Sequence, residues 1–87
     1  MYLHLGERVV VNSKDVVAML DLDTSTVSNI TRNFLKDAEA GGQVITVSEE
    51  LPKSAVVCKR AGGRKIYITQ ISTETLRKRS LTWITKT

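Results

Sequence analysis

Ser54-Ala55-Val56-Val57-Cys58-Lys59-Arg60-Ala61-Gly62-Gly63-Arg64-Lys65-Ile66-Tyr67-Ile68-Thr69-Gln70-Ile71 is the stretch that decides the fold of this chain. Two runs rich in β-branched and aromatic residues, Ala55–Lys59 and Ile66–Ile71, flank Ala61-Gly62-Gly63. Glycines supply the positive φ that a tight turn needs, so the stretch predicts a β-hairpin. Both arms alternate with the two-residue period of a strand. Val56 and Cys58 share one face of the first arm; Ile66 and Ile68 share one face of the second, with Tyr67, Thr69 and Ile71 on the other.

Lys59, Arg60, Arg64 and Lys65 surround the glycines, which predicts four cations converging on one loop tip. Like charges held close together repel, and a polyanion would relieve that repulsion. A basic loop that is merely solvated is the plainer alternative.

The charge distribution along the 87 residues points the same way. Residues 1–50 hold four basic residues against eight acidic ones, a balance of −4. Residues 51–87 hold nine basic residues against Glu74 alone, a balance of +8, and the two halves sum to the net +4 of the chain. Such asymmetry favours nucleic acid as partner over an acidic protein or an anionic membrane surface. The one cysteine, Cys58, has no internal partner for a disulfide and lies in a predicted strand, so a buried thiol in a reducing, cytoplasmic compartment is expected. Met1–Leu5 is too short an apolar run for a signal peptide, and the sequence has no run of about 20 apolar residues to span a membrane.

Outward from the hairpin, Tyr2–Leu5 and Arg8–Val11 are predicted strands around a Gly6-Glu7 turn. His4, the single histidine, has no clustered ligands in sequence and is expected on a strand face. Asp15–Leu22 reads as a strand because Val16, Ala18, Leu20 and Leu22 alternate, although Ser13 could equally cap a helix. Asp23-Thr24-Ser25 is a helix N-terminal signal, and Gly41-Gly42 a stop, predicting a helix over 24–40 with Val27, Ile30, Phe34 and Ala38 on the buried face. Gln43–Ser48 is a further strand. Ser72-Thr73 opens a short basic helix over 73–80 with Leu76 inward and Arg77, Lys78 and Arg79 outward, leaving 81–87 as a tail that packs on a neighbour or is disordered.

The fold class expected is α+β: one domain over 1–80, a small, mostly antiparallel sheet, one main helix and a short C-terminal helix. The apolar content on both faces of the strands exceeds what one helix covers, which suggests a homo-oligomer. No paired carboxylates among apolar residues, no Cys-x-x-Cys and no glycine-rich loop opening a helix are found, so neither an enzyme nor a metal, cofactor or small-molecule substrate is expected.

Several pieces, taken in order, resemble a known family. They are Tyr2-Leu3-His4-Leu5-Gly6, Val11-Asn12-Ser13-Lys14-Asp15-Val16-Val17, Pro52-Lys53-Ser54-Ala55-Val56-Val57 with Ile66-Tyr67-Ile68-Thr69, and Ser72-Thr73-Glu74-Thr75-Leu76-Arg77-Lys78-Arg79. Together they resemble the RemA/RemB family of small bacterial extracellular matrix regulators, closer to its RemB branch, over about residues 1–80. The resemblance implies a cytoplasmic transcriptional regulator of biofilm-matrix genes, with a fold related to the LytTR DNA-binding domain. It also implies assembly into a ring that displays basic residues repeatedly to duplex DNA. RemA-like members carry an arginine where Lys14 stands, and an arginine pair in the connection that here reads Leu51-Pro52-Lys53. The cations at the hairpin tip are an extension relative to those members.

The expected DNA face is therefore Lys14, Lys53, Lys59, Arg60, Arg64 and Lys65, with Arg77, Lys78 and Arg79 secondary. Lysine and arginine on loops suit phosphates, and no helix carries the Asn, Gln and Arg set that reads base edges. Aromatic residues are few and dispersed, which favours duplex DNA over single-stranded RNA. An oligomeric interaction or scaffold module, with Trp83 and Ile84 as anchor, is the competing class.

Overall fold

The structure, a computed structural model, describes residues 2–22 and 29–85. Among these residues six strands form two sheets, accompanied by two α-helices. Strands β1 (Tyr2–Gly6) and β2 (Val9–Asn12) make an antiparallel hairpin. Strands β3 (Val16–Asp21), β4 (Val44–Thr46), β5 (Ser54–Arg60) and β6 (Gly63–Thr69) form a four-stranded sheet in the order β3-β5-β6-β4. Its pairings are antiparallel except for β4 with β6. Helix α1 (Asn29–Ala40) connects β3 to β4, and α2 (Thr73–Thr85) follows β6. The α+β class holds. Among the described residues, no helix is long and apolar enough to cross a membrane.

The predicted hairpin is the centre of the sheet. Arg60 pairs with Gly63, so the turn is the two residues Ala61 and Gly62, and Gly63 takes the positive φ of 130°. The alternation of its arms divides the core in two. Val56 and Cys58 pack with Leu3, Leu5, Val11, Val47 and Leu76 on one face, while Ala55, Val57 and Ile66 pack with Ala38 on the other. Helix α1 covers the second face. The first is covered by the β1–β2 hairpin and α2, elements of the same chain. Much of the apolar content on both strand faces is thus covered within one chain, while Tyr2, Val10, Val17, Ile30 and Leu51 stay exposed.

Hydrogen bonds explain where elements begin and end. Gly42, at φ 71°, donates to the Glu39 carbonyl (3.0 Å), and the Gln43 N–H reaches the Ala38 carbonyl (2.9 Å). This pattern caps a helix and turns the chain straight into β4. Ser72 Oγ accepts from the Thr75 N–H at 3.2 Å, the N-cap predicted for α2. The β1–β2 hairpin shares no ladder with the larger sheet. It is tied there by the Thr69 hydroxyl, which donates to the Leu5 carbonyl, and by the side chains of Leu3 and Leu5. His4 lies on its outer face, its Nε2 donating to the Glu7 carbonyl at 3.0 Å.

Three expectations are corrected, and one falls outside the described residues. Ile30 is 82% exposed, whereas Phe34 and Ala38 pack against the sheet as expected, with Leu35 beside them and Phe34 half-buried. The proposed helix start at Asp23-Thr24-Ser25, and Val27, lie outside the described residues. Ser13–Asp15 forms one 3-10 turn before β3, capped by Asn12 Oδ1 on the Lys14 N–H. An irregularity between Val16 and Ala18 then breaks the expected alternation, so Val16 joins Met19 on the β1–β2 side while Ala18 and Leu20 face α1. Finally, α2 does not stop near residue 80 but continues to Thr85. No Gly or Pro follows Arg79 to end it. The expected 81–87 tail is therefore helical for its first five residues.

Candidate nucleic-acid interface

Strand geometry sorts the cations around the β5–β6 turn. Lys59 pairs with Arg64, and Lys65 pairs with Cys58. Side chains of paired residues share a face, and neighbours along a strand point oppositely. Lys59 and Arg64 therefore stand on the α1 side, and Arg60 and Lys65 on the β1–β2 side. The four cations do not converge; the hairpin carries two on each face.

Nor are they equally available. The Arg64 guanidinium folds back from the tip and donates from Nε (3.2 Å) and Nη2 (3.0 Å) to Gln43 Oε1. It also stacks over the Phe34 ring, 4.8 Å from the centroid. This residue ties the hairpin to α1 and the start of β4. Arg60 Nε lies 3.3 Å from Asp15 Oδ2. Lys59 and Lys65 are exposed and have no ion-pair partner among the described residues.

Lys14 is exposed on the 3-10 turn, next to Asp15 and so at the same end of the sheet as Arg60. Lys53 is exposed but sits at the other end of β5. Seven residues of strand place its backbone roughly 23 Å from that of Arg60. Arg77 and Lys78 are exposed on α2, Lys78 lying 3.5 Å from Glu74 one turn earlier. Arg79 is half-buried, its Nη1 donating to the His4 carbonyl at 2.7 Å. Within one chain, Lys14, Lys59, Arg60 and Lys65 gather at one end; Arg64 and Arg79 serve the fold, and Lys53, Arg77 and Lys78 lie apart from the tip.

Two clefts border this end. One, about 570 Å³, runs between Tyr2 and Val10 of the small hairpin and Tyr67, Arg60 and Lys65 of the large one, with Asp15 in its wall. The other, about 650 Å³ and largely apolar, lies between α1 and β3, where Val17 and Ile30 are exposed beside Phe34, with Lys59 at its edge. Cys58 forms part of the first cleft, yet burial, with the Asp15 charge adding, pushes its thiol up to about 11. It is therefore protonated at neutral pH and a poor nucleophile.

Sequence reasoning missed Gln43 and Asp15. Gln43 follows a helix stop, and nothing local singles it out as the acceptor for a guanidinium. Asp15 carries one signal, an acid beside Lys14 in an otherwise basic set, but its pairing with Arg60 depends on the register of β3 against β5.

The fold and this end of the sheet define a small α+β protein that presents cations from a β-hairpin and an adjoining turn. The chain belongs to the RemA-like family: the family model described as extracellular matrix regulatory protein A-like matches residues 2–80. It is 35% identical over 80 residues to extracellular matrix regulatory protein B of Bacillus subtilis (strain 168), covering 92% of this chain and 90% of that protein.

Proposed function

We propose that this chain is a DNA-binding regulator of extracellular matrix genes that grips duplex DNA by its phosphates, as part of a homo-oligomer. The observation that carries the reading is the set of exposed cations, Lys14, Lys59, Arg60 and Lys65, at one end of a domain whose relatives are named for matrix regulation. Lys53, Arg77 and Lys78 add to the face once subunits stand side by side, since a cation at the far end of one chain can lie beside the hairpin tip of the next. Individually weak phosphate contacts gain strength when displayed once per subunit on a ring, through effective concentration. The exposed apolar residues Tyr2, Val10, Val17, Ile30 and Leu51 are available for the contacts between subunits.

Fluorescence anisotropy with duplex DNA and single-stranded RNA, across a salt series, tests the reading. If about six phosphates are neutralised, log affinity falls against log salt with a slope near −5. Lys59→Glu with Lys65→Glu removes binding and leaves oligomer size unchanged by light scattering. Arg64 is left intact because its loss would also disturb Gln43 and Phe34. Wild-type protein that binds neither nucleic acid overturns the proposal. The apolar cleft beside Val17 and Ile30 would then favour the second reading, a protein-interaction module.

A further inference from the structure

Arg60 holds an anion already. The Asp15 carboxylate, 3.3 Å from its Nε, comes from a turn fixed at both ends: Asn12 Oδ1 caps the Lys14 N–H, and Val16, which follows, pairs with Cys58 on β5. The two partners differ in freedom. The Asp15 side chain is 22% exposed and that of Arg60 is 77% exposed. The acid is the anchored member, and the guanidinium is the one that can swing. Asp15 also lines the same cleft as Arg60 and Lys65, where an incoming phosphate would settle.

We propose that Asp15 is a built-in competitor for Arg60, an internal stand-in for phosphate that weakens the grip of this face on polyanions. The inference rests on the DNA reading above and concerns how that same site is regulated. Coulomb attraction falls as the inverse of distance, so a phosphate about 4 Å from the guanidinium and about 6 Å from the carboxylate feels repulsion about two-thirds as large as the attraction. Arg60 thus contributes about a third of a free cation until Asp15 is neutralised or the guanidinium swings away. Isolated anions gain little by displacing the carboxylate. Closely spaced phosphates, held at the same time by Lys14 and Lys65, can displace it. The pair therefore discriminates a continuous backbone from scattered anions.

The test is a salt series of anisotropy titrations on one duplex with wild type, Asp15→Asn, Arg60→Ala and the double variant. Asp15→Asn is expected to bind about tenfold more tightly, with a slope steeper by about 0.9 as one more phosphate is neutralised. In the Arg60→Ala background the same change should gain less than about threefold, because no guanidinium is released. A merely structural role for Asp15 would shift the melting temperature without steepening the slope. Should Asp15→Asn unfold below the assay temperature, Asp15→Ser provides the same comparison. Asp15→Asn that binds as wild type does, or more weakly, overturns the inference while leaving the DNA reading intact. Wild type without salt-sensitive DNA binding overturns both.

Discussion

Replacing Arg64 by alanine separates a tether from a DNA contact. In the structure this side chain makes two hydrogen bonds to Gln43 Oε1 and covers the Phe34 ring. Hydrogen bonds from a charged donor contribute about 1.5–3 kcal/mol when well shielded. Both Arg64 and Gln43 are half-exposed, so about 1 kcal/mol for the pair is the better figure. The guanidinium over the ring adds about 0.5–1 kcal/mol. The expected loss is therefore about 1.5–2 kcal/mol, which in a domain of this size lowers the melting temperature by roughly 10 °C. Thermal melts followed by circular dichroism should be run at one fixed protein concentration, because any assembly makes the midpoint concentration-dependent. Arg64→Lys keeps the charge but not the forked geometry and should recover less than half of the loss. DNA affinity of Arg64→Ala, measured well below its midpoint, should stay within about threefold of wild type. A midpoint unchanged within about 2 °C, together with lost DNA binding, would refute the tether and return Arg64 to the contact surface.

Leu76→Ala removes a fully buried side chain from the core beneath α2 and should cost about 3–5 kcal/mol by urea denaturation. Ile30→Ala should change stability by less than about 0.5 kcal/mol, since its side chain is open to solvent; a larger loss in dilute protein would place it in a core. Cys58 should resist alkylation at neutral pH in the folded protein and react freely in denaturant, read by mass spectrometry. Its raised thiol also makes stability depend on pH. The folded state holds the proton that the unfolded state releases above about 9.0, so this contribution is full below that pH and is lost as pH rises through about 11. Cys58→Ala should flatten that part of the stability profile.

Local chemistry made much of the fold legible. The 54–71 hairpin announced itself by alternation around glycines, and the ends of α1 and α2 by Gly41-Gly42 and Ser72. Each is a pattern within a few residues, so no distant partner is needed to read it. The misreadings share the opposite property. Ile30 fits a helical stripe, but which side of α1 meets the sheet is decided by how the helix lies over β5 and β6. Val16 fits an alternating strand, but the ladder slips between it and Ala18. The cations near the turn were visible, while their separate fates were not. Arg64 is engaged by Gln43, 21 residues earlier, and Arg60 by Asp15, on another strand's approach. Long side chains choose partners across space, and residue order alone does not encode that choice.

The absence of a ladder between the β1–β2 hairpin and the main sheet has a consequence for synthesis. The hairpin can close on itself early, but a two-stranded ribbon alone is marginally stable in water. Its anchors come late: the Thr69 hydroxyl meets the Leu5 carbonyl across 64 residues, and Arg79 meets the His4 carbonyl across 75. At roughly 5–20 residues per second on the ribosome, residues 2–12 wait several seconds before those partners have even been polymerised. During that interval Leu3, Leu5 and Val11, all buried in the finished domain, are uncovered. Residues 2–12 therefore spend that interval as an uncovered apolar segment of the kind that chaperones shield.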